Sequence, residues 1–567
     1  MKDEPHSSRA LLKDTLQQEI DKPYQETEKS MRRKDVLPRL KTEEPFDMLV
    51  IGGGATGCGV ALDAASRGLK VALVEKNDFS EGTSSRSTKL LHGGVRYLEM
   101  AVKHLDTGQY HLVRDALKER GILLRLAPHL CHRLPLVTPL YKWMEVPYIL
   151  AGLKLYDILA GSAGIGDSRL MGRSRAMKRF PMLHAQGLKA GVLYFDGQFN
   201  DARMVVSIAL TAAQHGAIIA NHVCVTDFIK EEGRVAGVRA TDSVSGMSWE
   251  VRARTVINAT GPFADSLRFM DNPASRPMLK VSSGIHILLD KRFAPPDTGL
   301  LIPKTEDGRV LFVLPWEGHA LVGTTDESAQ VTEHPFPSKE DISYLLRHIG
   351  RYFDLQVSES DIKAAWSGLR PLIFDPKASD TAKLTRDHLI EQSTSGLITI
   401  AGGKWTTYRK MAHDVVDHAV KKFALKTRSG CWTDRIYIIG GESYDPQGDA
   451  GLVEKYGFDT HVAWHLNRAY GDRADDVARF AVSGYGALLA RDHPYLEAEV
   501  LYAVRHECAE HTIDVLARRI PLALLDTAAT VSAADRVIDI MAGEMDWDSD
   551  RRREEKQMVK ERLKSAI

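Results

Sequence analysis

The sequence predicts an α/β protein in which a nucleotide-binding domain is interleaved with an antiparallel-sheet domain and followed by a helical C-terminal domain. A glycine-rich loop, IGGGATGCG (Ile51 to Gly59), lies between a predicted strand and a predicted helix. Short strand signals such as RVLFVLP (Arg309 to Pro315) and HALVGTTDE (His319 to Glu327) predict the antiparallel sheet. After about Leu425 the apolar residues recur at helical spacing.

Length and composition are those of a globular protein with several domains. The chain has 567 residues, of which 44% are hydrophobic and 26% are charged, so two or three domains are expected. Lys plus Arg equals Asp plus Glu at 75 each, which excludes the long-range positive field of a nucleic-acid-binding protein. The five cysteines are scattered and never form a C-x-x-C pair. We therefore expect neither a disulfide framework nor a thiolate metal site.

The sequence predicts no membrane-spanning helix and no clear targeting peptide. VPYILAGLKLYDILAG (Val146 to Gly161) is interrupted by Lys154 and Asp157, and it is shorter than the roughly 20 apolar residues that cross a bilayer. Residues 1–44 mix acidic with basic side chains, whereas targeting peptides avoid acids. We interpret residues 1–44 as a polar N-terminal extension.

One face of the predicted helix in this apolar stretch has two interpretations. It is either buried within the protein or seated in a lipid interface. Its apolar residues and the neighbouring aromatic residues are Val146, Ile149, Leu150 and Leu153 with Tyr141, Trp143 and Tyr148. The sequence leaves both interpretations open.

The glycine loop belongs to a predicted right-handed βαβ unit. Phe46 to Gly52 is predicted as a strand, Gly59 to Gly68 as a helix and Lys70 to Lys76 as a second strand. In this context G-x-G-x-x-G is the fingerprint of a Rossmann-like domain, since its glycines allow a tight turn, a close approach to pyrophosphate and helix packing. The three glycines are Gly52, Gly54 and Gly57.

Glu75 and two later strands favour FAD as the dinucleotide. Glu75 closes the second strand, where a carboxylate accepts the hydroxyls of an unphosphorylated ribose, as in FAD or NAD. The segments TVINATG (Thr255 to Gly261) and GLITIAGGKWTT (Gly396 to Thr407) return the chain to the same sheet. Their additional backbone suits the longer FAD molecule.

These patterns predict the following domain organisation. Residues 1–44 form the extension, 45–425 the nucleotide-dependent part and 426–567 the α-helical C-terminal domain. Within the second part, the FAD-binding segments are about 45–134, 190–264 and 365–425, and the insertions that build the substrate domain are about 135–189 and 265–364.

The stretch SEGTSSRSTKLLHGGVRYLE (Ser80 to Glu99) resembles the FAD-dependent glycerol-3-phosphate dehydrogenases, quinone-linked enzymes of bacterial membranes and mitochondria. The resemblance continues through YFDGQFNDAR, VINATGPFAD, WSGLRPL and AGGKWTTYR, and it spans about Phe46 to Asp548. The phrases LYKWMEVPY, AWSGLRPL and GLITIAGGKWTTYR are most similar to the mitochondrial branch.

This resemblance implies an activity and a location. The expected reaction is oxidation of sn-glycerol 3-phosphate to dihydroxyacetone phosphate, with hydride transfer to N5 of FAD and passage of the electrons to ubiquinone. The expected location is peripheral, on the mitochondrial inner membrane. The sequence does not determine the oligomeric state, and a homodimer is one arrangement that it allows.

Fingerprint and resemblance together predict a set of FAD contacts. They are Gly52, Gly54, Ala55, Thr56, Gly57, Glu75, Lys76, Thr83, Ser84, Ser85, Thr88, Leu90, His92, Gly93, Gly94, Val223, Ala259, Thr260, Gly261, Gly403 and Lys404.

The family chemistry needs a base for the C2 hydroxyl and cations for phosphate and developing alkoxide. His92, in the HGG turn that by resemblance passes the flavin ring, is the candidate base. Arg370 is the first candidate for substrate contact because the following proline and the preceding SGL predict a tight turn. Lys404 suits either the phosphate or the flavin N1–C2 region. The further candidates for substrate contact are Arg96, Arg386, Tyr97 and Thr407.

Two other enzyme-like patterns are set aside, and no metal is expected. The histidines of HECAEH (His506 to His511) are five residues apart, whereas one helical face needs four. DWDSD (Asp546 to Asp550) opens like a calcium loop, but Arg551 replaces the required glycine.

Two alternatives to a quinone-linked dehydrogenase remain open. One is a glycerol-3-phosphate oxidase that reduces oxygen to hydrogen peroxide. The other is a flavin-binding assembly protein without turnover, which the presence of His92 and the arginines disfavours.

Overall fold

The structure is a computed structural model that describes residues 31–94, 98, 106–303, 305–306, 309–374 and 387–564. Arg96, Tyr97 and Arg386, which were predicted to bind substrate, lie outside the described residues. In the part of the chain that the structure describes, no helix has the length and apolar character needed to cross a bilayer.

The strands are distributed over three sheets. They are β1 (Met48–Ile51), β2 (Val71–Val74), β3 (Leu90–Leu91), β4 (Cys131–Leu140), β5 (Arg169–Gly172), β6 (Ala190–Phe199), β7 (Ile218–Ala220), β8 (Val223–Glu231), β9 (Arg234–Asp242), β10 (Ser248–Arg252), β11 (Val256–Asn258), β12 (Leu279–Leu289), β13 (Gly299–Ile302), β14 (Leu311–Trp316), β15 (His319–Gly323), β16 (Glu327–Ser328), β17 (Ile362–Ile373), β18 (His388–Gln392) and β19 (Ile398–Gly402).

The helices cover the sheets and form the C-terminal region. They are α1 (Arg33–Leu40), α2 (Ala55–Ser66), α3 (Thr107–Leu126), α4 (Glu145–Ala160), α5 (Arg173–Arg179), α6 (Asp201–Gln214), α7 (Ala264–Asp271), α8 (Lys339–Gly350), α9 (Tyr408–Phe423), α10 (Gly448–Tyr456), α11 (Thr460–Tyr470), α12 (Ala474–Phe480), α13 (Glu497–His506), α14 (Thr512–Asp514), α15 (Leu522–Leu525), α16 (Thr527–Met545) and α17 (Ser549–Lys564).

The nucleotide-binding sheet has the strand order β18-β19-β11-β1-β2-β7. Its strands run parallel except β18, which is antiparallel to β19. Alternate residues of β1 face opposite sides. Met48 and Val50 pack into a core with α2, α6 and α9, whereas Leu49 and Ile51 pack against the three-stranded sheet β10-β9-β8. Both faces are therefore covered, as a parallel sheet requires.

The large sheet has the strand order β16-β12-β15-β14-β13-β4-β6-β3, with β17 added beside β12 and β5 beside β6. It is antiparallel apart from the pair β13 and β4. This sheet includes β6, which lies in the predicted FAD-binding segment 190–264, and β17, which begins in the predicted insertion 265–364 and continues into the predicted segment 365–425. Alternating apolar residues indicate a strand but not which sheet it joins.

The C-terminal region is helical, as predicted, and its apolar core continues into the large sheet. Trp366 and Leu321 of the sheet belong to the same buried cluster as Leu522 and Leu524 of α15. The two histidines of the HECAEH segment, for which no metal was expected, lie in different elements, because His506 ends α13 and His511 precedes α14.

Buried ion pairs join the C-terminal region to the loop that follows β2. Asp78 accepts hydrogen bonds from Arg518 Nε at 2.6 Å and Arg519 Nη2 at 3.0 Å. Asp78, His222 and Asp514 have the spacing of metal ligands, but Arg518 also donates to Asp514 at 2.6 Å. The guanidinium groups therefore already compensate these carboxylates.

Candidate active site

A cavity of about 1030 Å³ lies between the nucleotide-binding sheet and the large sheet. Ile51 and Ala259 border it from the first sheet, and Phe312 and Arg370 border it from the second. Its volume is at the upper end of the range for ligand pockets, which suits a dinucleotide together with a small substrate.

The glycine loop brings backbone, rather than side chains, to one end of this cavity. Gly52 has φ of +113°, and a Cβ there would lie 2.6 Å from the carbonyl oxygen of Ala259. Gly54 precedes the first residue of α2. A Cβ at Gly57 would overlap the carbonyl oxygen of Gly52. The loop therefore keeps its close turn only with glycine at these positions, and the N-terminus of α2 can receive a pyrophosphate.

Glu75 lies at the carboxyl end of β2, beside the glycine loop. Its Oε2 accepts the Gly53 amide hydrogen at 2.5 Å, and its Oε1 accepts that of Asn77 at 2.9 Å. Burial raises the pKa of the Glu75 carboxyl, against the opposing effect of these two amides. The two hydrogen bonds hold the carboxylate at the cavity edge, where a ribose would lie.

The segment from Thr83 to Ser85 is tied to residues from several parts of the chain. Thr83 Oγ1 donates to the Leu369 carbonyl at 2.6 Å, and the Ala55 amide donates to Ser84 Oγ at 3.0 Å. Trp405 Nε1 donates to the Ser84 carbonyl at 2.9 Å. Thr83 and Ser84 consequently border the cavity next to the start of α2.

Ser85 faces away from the cavity, toward a buried ion pair. Its carbonyl accepts a hydrogen bond from Lys89 Nζ at 2.6 Å, and the same ammonium lies 2.6 Å from Asp201 Oδ1. Ser85 is not among the residues that line the cavity, and its contact with FAD stays a prediction.

The HGG turn is held by side chains from two distant segments. The Gly93 amide donates to the Tyr156 hydroxyl at 2.7 Å, and Lys404 Nζ donates to the Gly93 carbonyl at 3.3 Å. The His92 amide donates to Thr406 Oγ1 at 3.3 Å. His92 and Lys404 border the cavity, whereas Gly93 lies behind the lining.

Thr406, and not Thr407, is the threonine that contacts the turn. Thr407 is buried, and its hydroxyl donates to the carbonyl of Lys404 at 3.1 Å. Thr407 belongs to the short helical turn Trp405–Thr407 and does not line the cavity, and its contact with substrate stays a prediction.

Arg370 extends from β17 to the segment that follows β15. Its Nη2 donates to Thr324 Oγ1 at 2.9 Å and to the Thr325 carbonyl at 3.0 Å, and its Nη1 lies 3.2 Å from Asp326 Oδ1. Gly284 makes room for it, because a Cβ there would overlap the guanidinium. These contacts aim a cation with a defined orientation into the cavity.

His286 is a cavity residue that sequence reasoning missed. Its Nε2 lies 2.9 Å from Thr88 Oγ1, and its ring stacks on Trp366 with centroids 5.6 Å apart. Burial, together with Arg370 and Lys89, lowers the pKa of His286 well below its usual value. The imidazole is therefore neutral at physiological pH. A single histidine among apolar strand residues gave no signal of this role.

Helix α4 borders the cavity and is apolar on its outer side as well. On the apolar face predicted from the sequence, Val146 and Leu153 are buried and Ile149 and Leu150 are half-buried. The exposed apolar residues of the helix and its approach are Trp143, Met144, Tyr148 and Ile158. Burial within the protein therefore holds for Val146 and Leu153, and the lipid interface stays a prediction.

Most of the predicted contacts line the cavity. These residues are Gly52, Gly54, Ala55, Thr56, Glu75, Lys76, Thr83, Ser84, Thr88, Leu90, His92, Gly94, Val223, Ala259, Thr260, Gly261, Arg370, Gly403 and Lys404. Gly57, Ser85, Gly93 and Thr407 are not among them. Lys76 forms an ion pair with Glu333, another lining residue.

Comparisons with known proteins agree with this geometry. Residues 47–409 match the family model described as FAD dependent oxidoreductase, and residues 431–552 match the C-terminal domain of alpha-glycerophosphate oxidase. The chain is 48% identical over 537 residues to "Glycerol-3-phosphate dehydrogenase, mitochondrial" of Mus musculus, covering 92% of this chain and 74% of the relative. The chain belongs to the FAD-dependent glycerol-3-phosphate dehydrogenases of the mitochondrial type.

Other members support this assignment. "Probable glycerol-3-phosphate dehydrogenase, mitochondrial" of Caenorhabditis elegans is 50% identical over 527 residues, covering 91% of this chain and 73% of that one. The glycerol-3-phosphate dehydrogenase of Bacillus halodurans, solved in complex with FAD, has a TM-score of 0.77 and 30% identity over 95% of this chain and 98% of its own. The family assignment made from the motifs is confirmed, and so is FAD as the cofactor.

The L-alpha-glycerophosphate oxidase of Mycoplasma pneumoniae is more distant. It shares 17% identity and a TM-score of 0.50, covering 68% of this chain and 96% of its own. That likeness concerns the fold alone, and the dehydrogenases match over far more of the chain.

Proposed function

We propose that this glycerol-3-phosphate dehydrogenase transfers a hydride from C2 of sn-glycerol 3-phosphate to FAD and passes the electrons to ubiquinone. The observation that carries the proposal is the content of one cavity. It contains the nucleotide loop at Gly52, the candidate substrate groups His92 and Arg370, and an apolar wall from α4 that includes Leu153.

Bound FAD supplies a two-electron acceptor, and the protein's own groups bind and orient the substrate. Arg370 is the principal phosphate ligand in this proposal, since its guanidinium is oriented by Thr324 and Asp326. Lys404, which donates to the Gly93 carbonyl, adds a second cation beside the HGG turn. Arg96 and Arg386 stay predictions of phosphate contact.

Two histidines are candidates to take the proton of the C2 hydroxyl. His92 lies in the HGG turn and borders the cavity. His286 borders the same cavity, is kept neutral by burial, and is 2.9 Å from Thr88 Oγ1. We keep His92 as the base, and we assign His286 to the orientation of the substrate hydroxyl through Thr88.

The outer side of α4 supports a peripheral membrane contact. Trp143 and Met144, just before the helix, are 63% and 88% exposed, and Ile158 within it is 73% exposed. Trp and Tyr favour the headgroup region of a bilayer. Since the inner side of the same helix borders the cavity, a membrane on its outer side would bring a lipid-soluble quinone close to the site.

The names of the relatives support a mitochondrial location, and we propose the inner membrane as the docking surface. Flotation with liposomes tests this contact. The variant Trp143→Glu/Met144→Glu should float at least about tenfold less than wild type, because charges at an interface oppose insertion. Met247→Glu, at another exposed apolar residue, is the matched control. Equal flotation of both variants would remove α4 as the docking surface.

The electron acceptor is tested with the two half-reactions. Anaerobic addition of sn-glycerol 3-phosphate should bleach the flavin absorbance, whereas glycerol should not. A soluble short-chain benzoquinone should then restore the absorbance faster than air-saturated buffer does. Rapid peroxide formation without a benefit from the quinone would favour the oxidase alternative.

A further inference from the structure

Two polar side chains of β6 face the α4 side of the cavity. Tyr194 and Asp196 are two residues apart on one strand and therefore lie on the same face of the sheet. Each is only 1% exposed, and both border the cavity. Neither residue belongs to the nucleotide loop or to the groups assigned above to glycerol 3-phosphate.

Tyr194 has a buried hydroxyl that no described residue hydrogen-bonds. Its oxygen is shielded from solvent and has no hydrogen-bond partner within the described part of the chain. Buried polar groups in native proteins almost always have a partner, and a leftover donor at a cavity wall indicates a ligand that completes it. Tyr194 thus lines the cavity with a hydroxyl that the described residues leave unsatisfied.

Asp196 is held from behind by two residues. Arg120 Nη1 donates to its Oδ1 at 2.7 Å, and the Tyr156 hydroxyl donates to the same oxygen at 2.8 Å. Both bonds end on Oδ1, and none of the described residues donates a hydrogen bond to Oδ2. The Tyr156 hydroxyl also accepts the Gly93 amide hydrogen at 2.7 Å, so Asp196 is one side chain away from the HGG turn.

The surroundings of this polar pair are apolar. Tyr194 belongs to the same buried cluster as Val146 and Leu153 of α4 and Phe312 of β14. Leu153 and Phe312 also line the cavity. A ligand here would need an apolar body and one or two hydrogen-bonding oxygens, which describes a benzoquinone head group better than it describes a phosphate ester.

We propose that Tyr194 and Asp196 bind the carbonyl oxygens of the quinone head group, with Tyr194 as a hydrogen-bond donor and Asp196 as the proton donor. This site rests on the proposed quinone-linked function. Reduction of a quinone to a quinol takes two electrons and two protons. Bound FAD, once reduced by the substrate, would supply both electrons and one proton as a hydride equivalent. The Asp196 carboxyl supplies the second proton and becomes a carboxylate.

The charges around Asp196 are compatible with this role. Arg120 of α3 and Tyr156 of α4 donate hydrogen bonds to Asp196. Asp157 of α4 is a nearby acid, and the residue paired with Asp196 on β4 is the uncharged Leu134. Burial raises the pKa of Asp196 to about 6, against the opposing effect of Arg120. Both protonation states are therefore accessible near neutral pH. The protonated form donates to a quinone carbonyl, whereas the carboxylate repels it.

Separate measurement of quinone binding and of the two half-reactions in the holoenzyme tests the site. Tyr194→Phe should raise the Kd of a short-chain benzoquinone about tenfold, the loss expected for one hydrogen bond. Wild-type Kd should rise about tenfold between pH 5.5 and pH 7.5, because binding favours the protonated carboxyl. Asp196→Asn should remove this pH dependence, because an amide donates at every pH. Calorimetric titration measures each Kd.

The half-reactions separate this site from the substrate site. Both variants should slow reoxidation by the quinone about tenfold or more, and should change the rate of bleaching by glycerol 3-phosphate by less than about threefold. Tyr141→Phe, whose hydroxyl donates to the His184 carbonyl outside the cavity, is the matched control. Flavin content and circular dichroism confirm that each variant is folded.

Three results would overturn the assignment. An unchanged Kd in Tyr194→Phe would remove the donor, and a pH-dependent Kd in Asp196→Asn would remove the carboxyl. Equal slowing of bleaching and reoxidation would move both residues to the glycerol 3-phosphate site. A wild-type enzyme that glycerol 3-phosphate bleaches but no quinone reoxidises would instead disprove the proposed acceptor, and this site with it.

Discussion

The ammonium group of Lys89 lies 2.6 Å from Oδ1 of Asp201, and neither side chain is exposed to solvent. Burial lowers the pKa of Lys89, against the opposing effect of Asp201. Asp201 Oδ2 also accepts hydrogen bonds from the amide and the hydroxyl of Ser87, at 3.0 and 2.7 Å. The pair therefore anchors the cofactor-side segment 83–90 to the start of α6.

Lys89→Met should lower the free energy of unfolding by about 3 to 5 kcal/mol, because it leaves the Asp201 carboxylate buried without its cation. Urea denaturation of the holoenzyme measures the change. Lys70→Met, which removes an exposed ion pair with Glu44, should cost less than about 1 kcal/mol. Equal effects of the two substitutions would show that the buried pair does not stabilise the fold.

Gly57→Ala should reduce the flavin content of the purified protein severalfold. The new Cβ would overlap the carbonyl oxygen of Gly52 and push α2 away from the turn. The ratio of flavin to protein absorbance measures cofactor retention. Gly543→Ala is the control, since no atom lies within 4 Å of a Cβ at that helical position. Full flavin content in Gly57→Ala would contradict the steric argument.

Arg370→Lys should raise the KM for glycerol 3-phosphate by about tenfold to a hundredfold with a smaller change in kcat, because an ammonium does not reproduce the oriented guanidinium. Gly284→Ala should have a similar effect without removing the charge, since its Cβ would overlap the guanidinium. Arg175→Lys, at an exposed position of α5, is the matched control. Steady-state kinetics checks all three, and an unchanged KM in Arg370→Lys would exclude phosphate contact.

His92→Ala should slow flavin reduction by about a hundredfold or more while leaving substrate affinity within a few fold, as expected for loss of a general base. Anaerobic stopped-flow spectroscopy separates the two quantities. His286→Ala should instead weaken substrate affinity, since we assign it to orientation through Thr88. The opposite result, with reduction lost in His286→Ala and retained in His92→Ala, would exchange the two roles.

The stability of the protein should fall as pH drops below about 6.5. Burial lowers the pKa of His129 and of His132 to about 3. The nearby Arg468 contributes at both histidines, and Arg203 contributes at His129. The unfolded chain protonates these histidines near pH 6.5, so it binds more protons than the folded chain between pH 6.5 and pH 3, and acid favours unfolding.

His132→Gln should make this acid sensitivity shallower by about 1.4 kcal/mol per pH unit well below pH 6.5, because one fewer histidine is protonated on unfolding. The fall in apparent Tm between pH 7 and pH 5 reports the effect. His461→Gln, at an exposed helical position, serves for comparison. Parallel Tm profiles for wild type and His132→Gln would contradict the prediction.

Several features could be predicted because they depend on neighbouring residues. The turn at Gly52, the helix that begins at Ala55 and the carboxylate of Glu75 all belong to one local βαβ unit. Backbone conformation within such a unit follows from glycine, strand and helix preferences over a few residues. The candidate residues Arg370 and Lys404 were likewise found because they stand in short motifs of the family.

Other site residues could not be predicted because their partners are distant in the chain. His286 meets Thr88 across 198 residues, and Gly93 meets Tyr156 across 63. No local pattern distinguishes a cavity-facing histidine in an apolar strand from a core histidine. The same limit applies to β6, since strand alternation does not identify the partner strand.

By itself, the sequence determined the nucleotide loop, the preference for FAD, the dehydrogenase family and the helical nature of the C-terminal region. Only the tertiary structure decided that Tyr194 and Asp196 reach the α4 side of the cavity, that Asp326 orients Arg370, and that the C-terminal helices share a core with the large sheet. The physical reason is the separation in sequence between the residues that interact. Propensities and motifs act over a few residues, whereas strand pairing and core packing join side chains that are far apart in sequence.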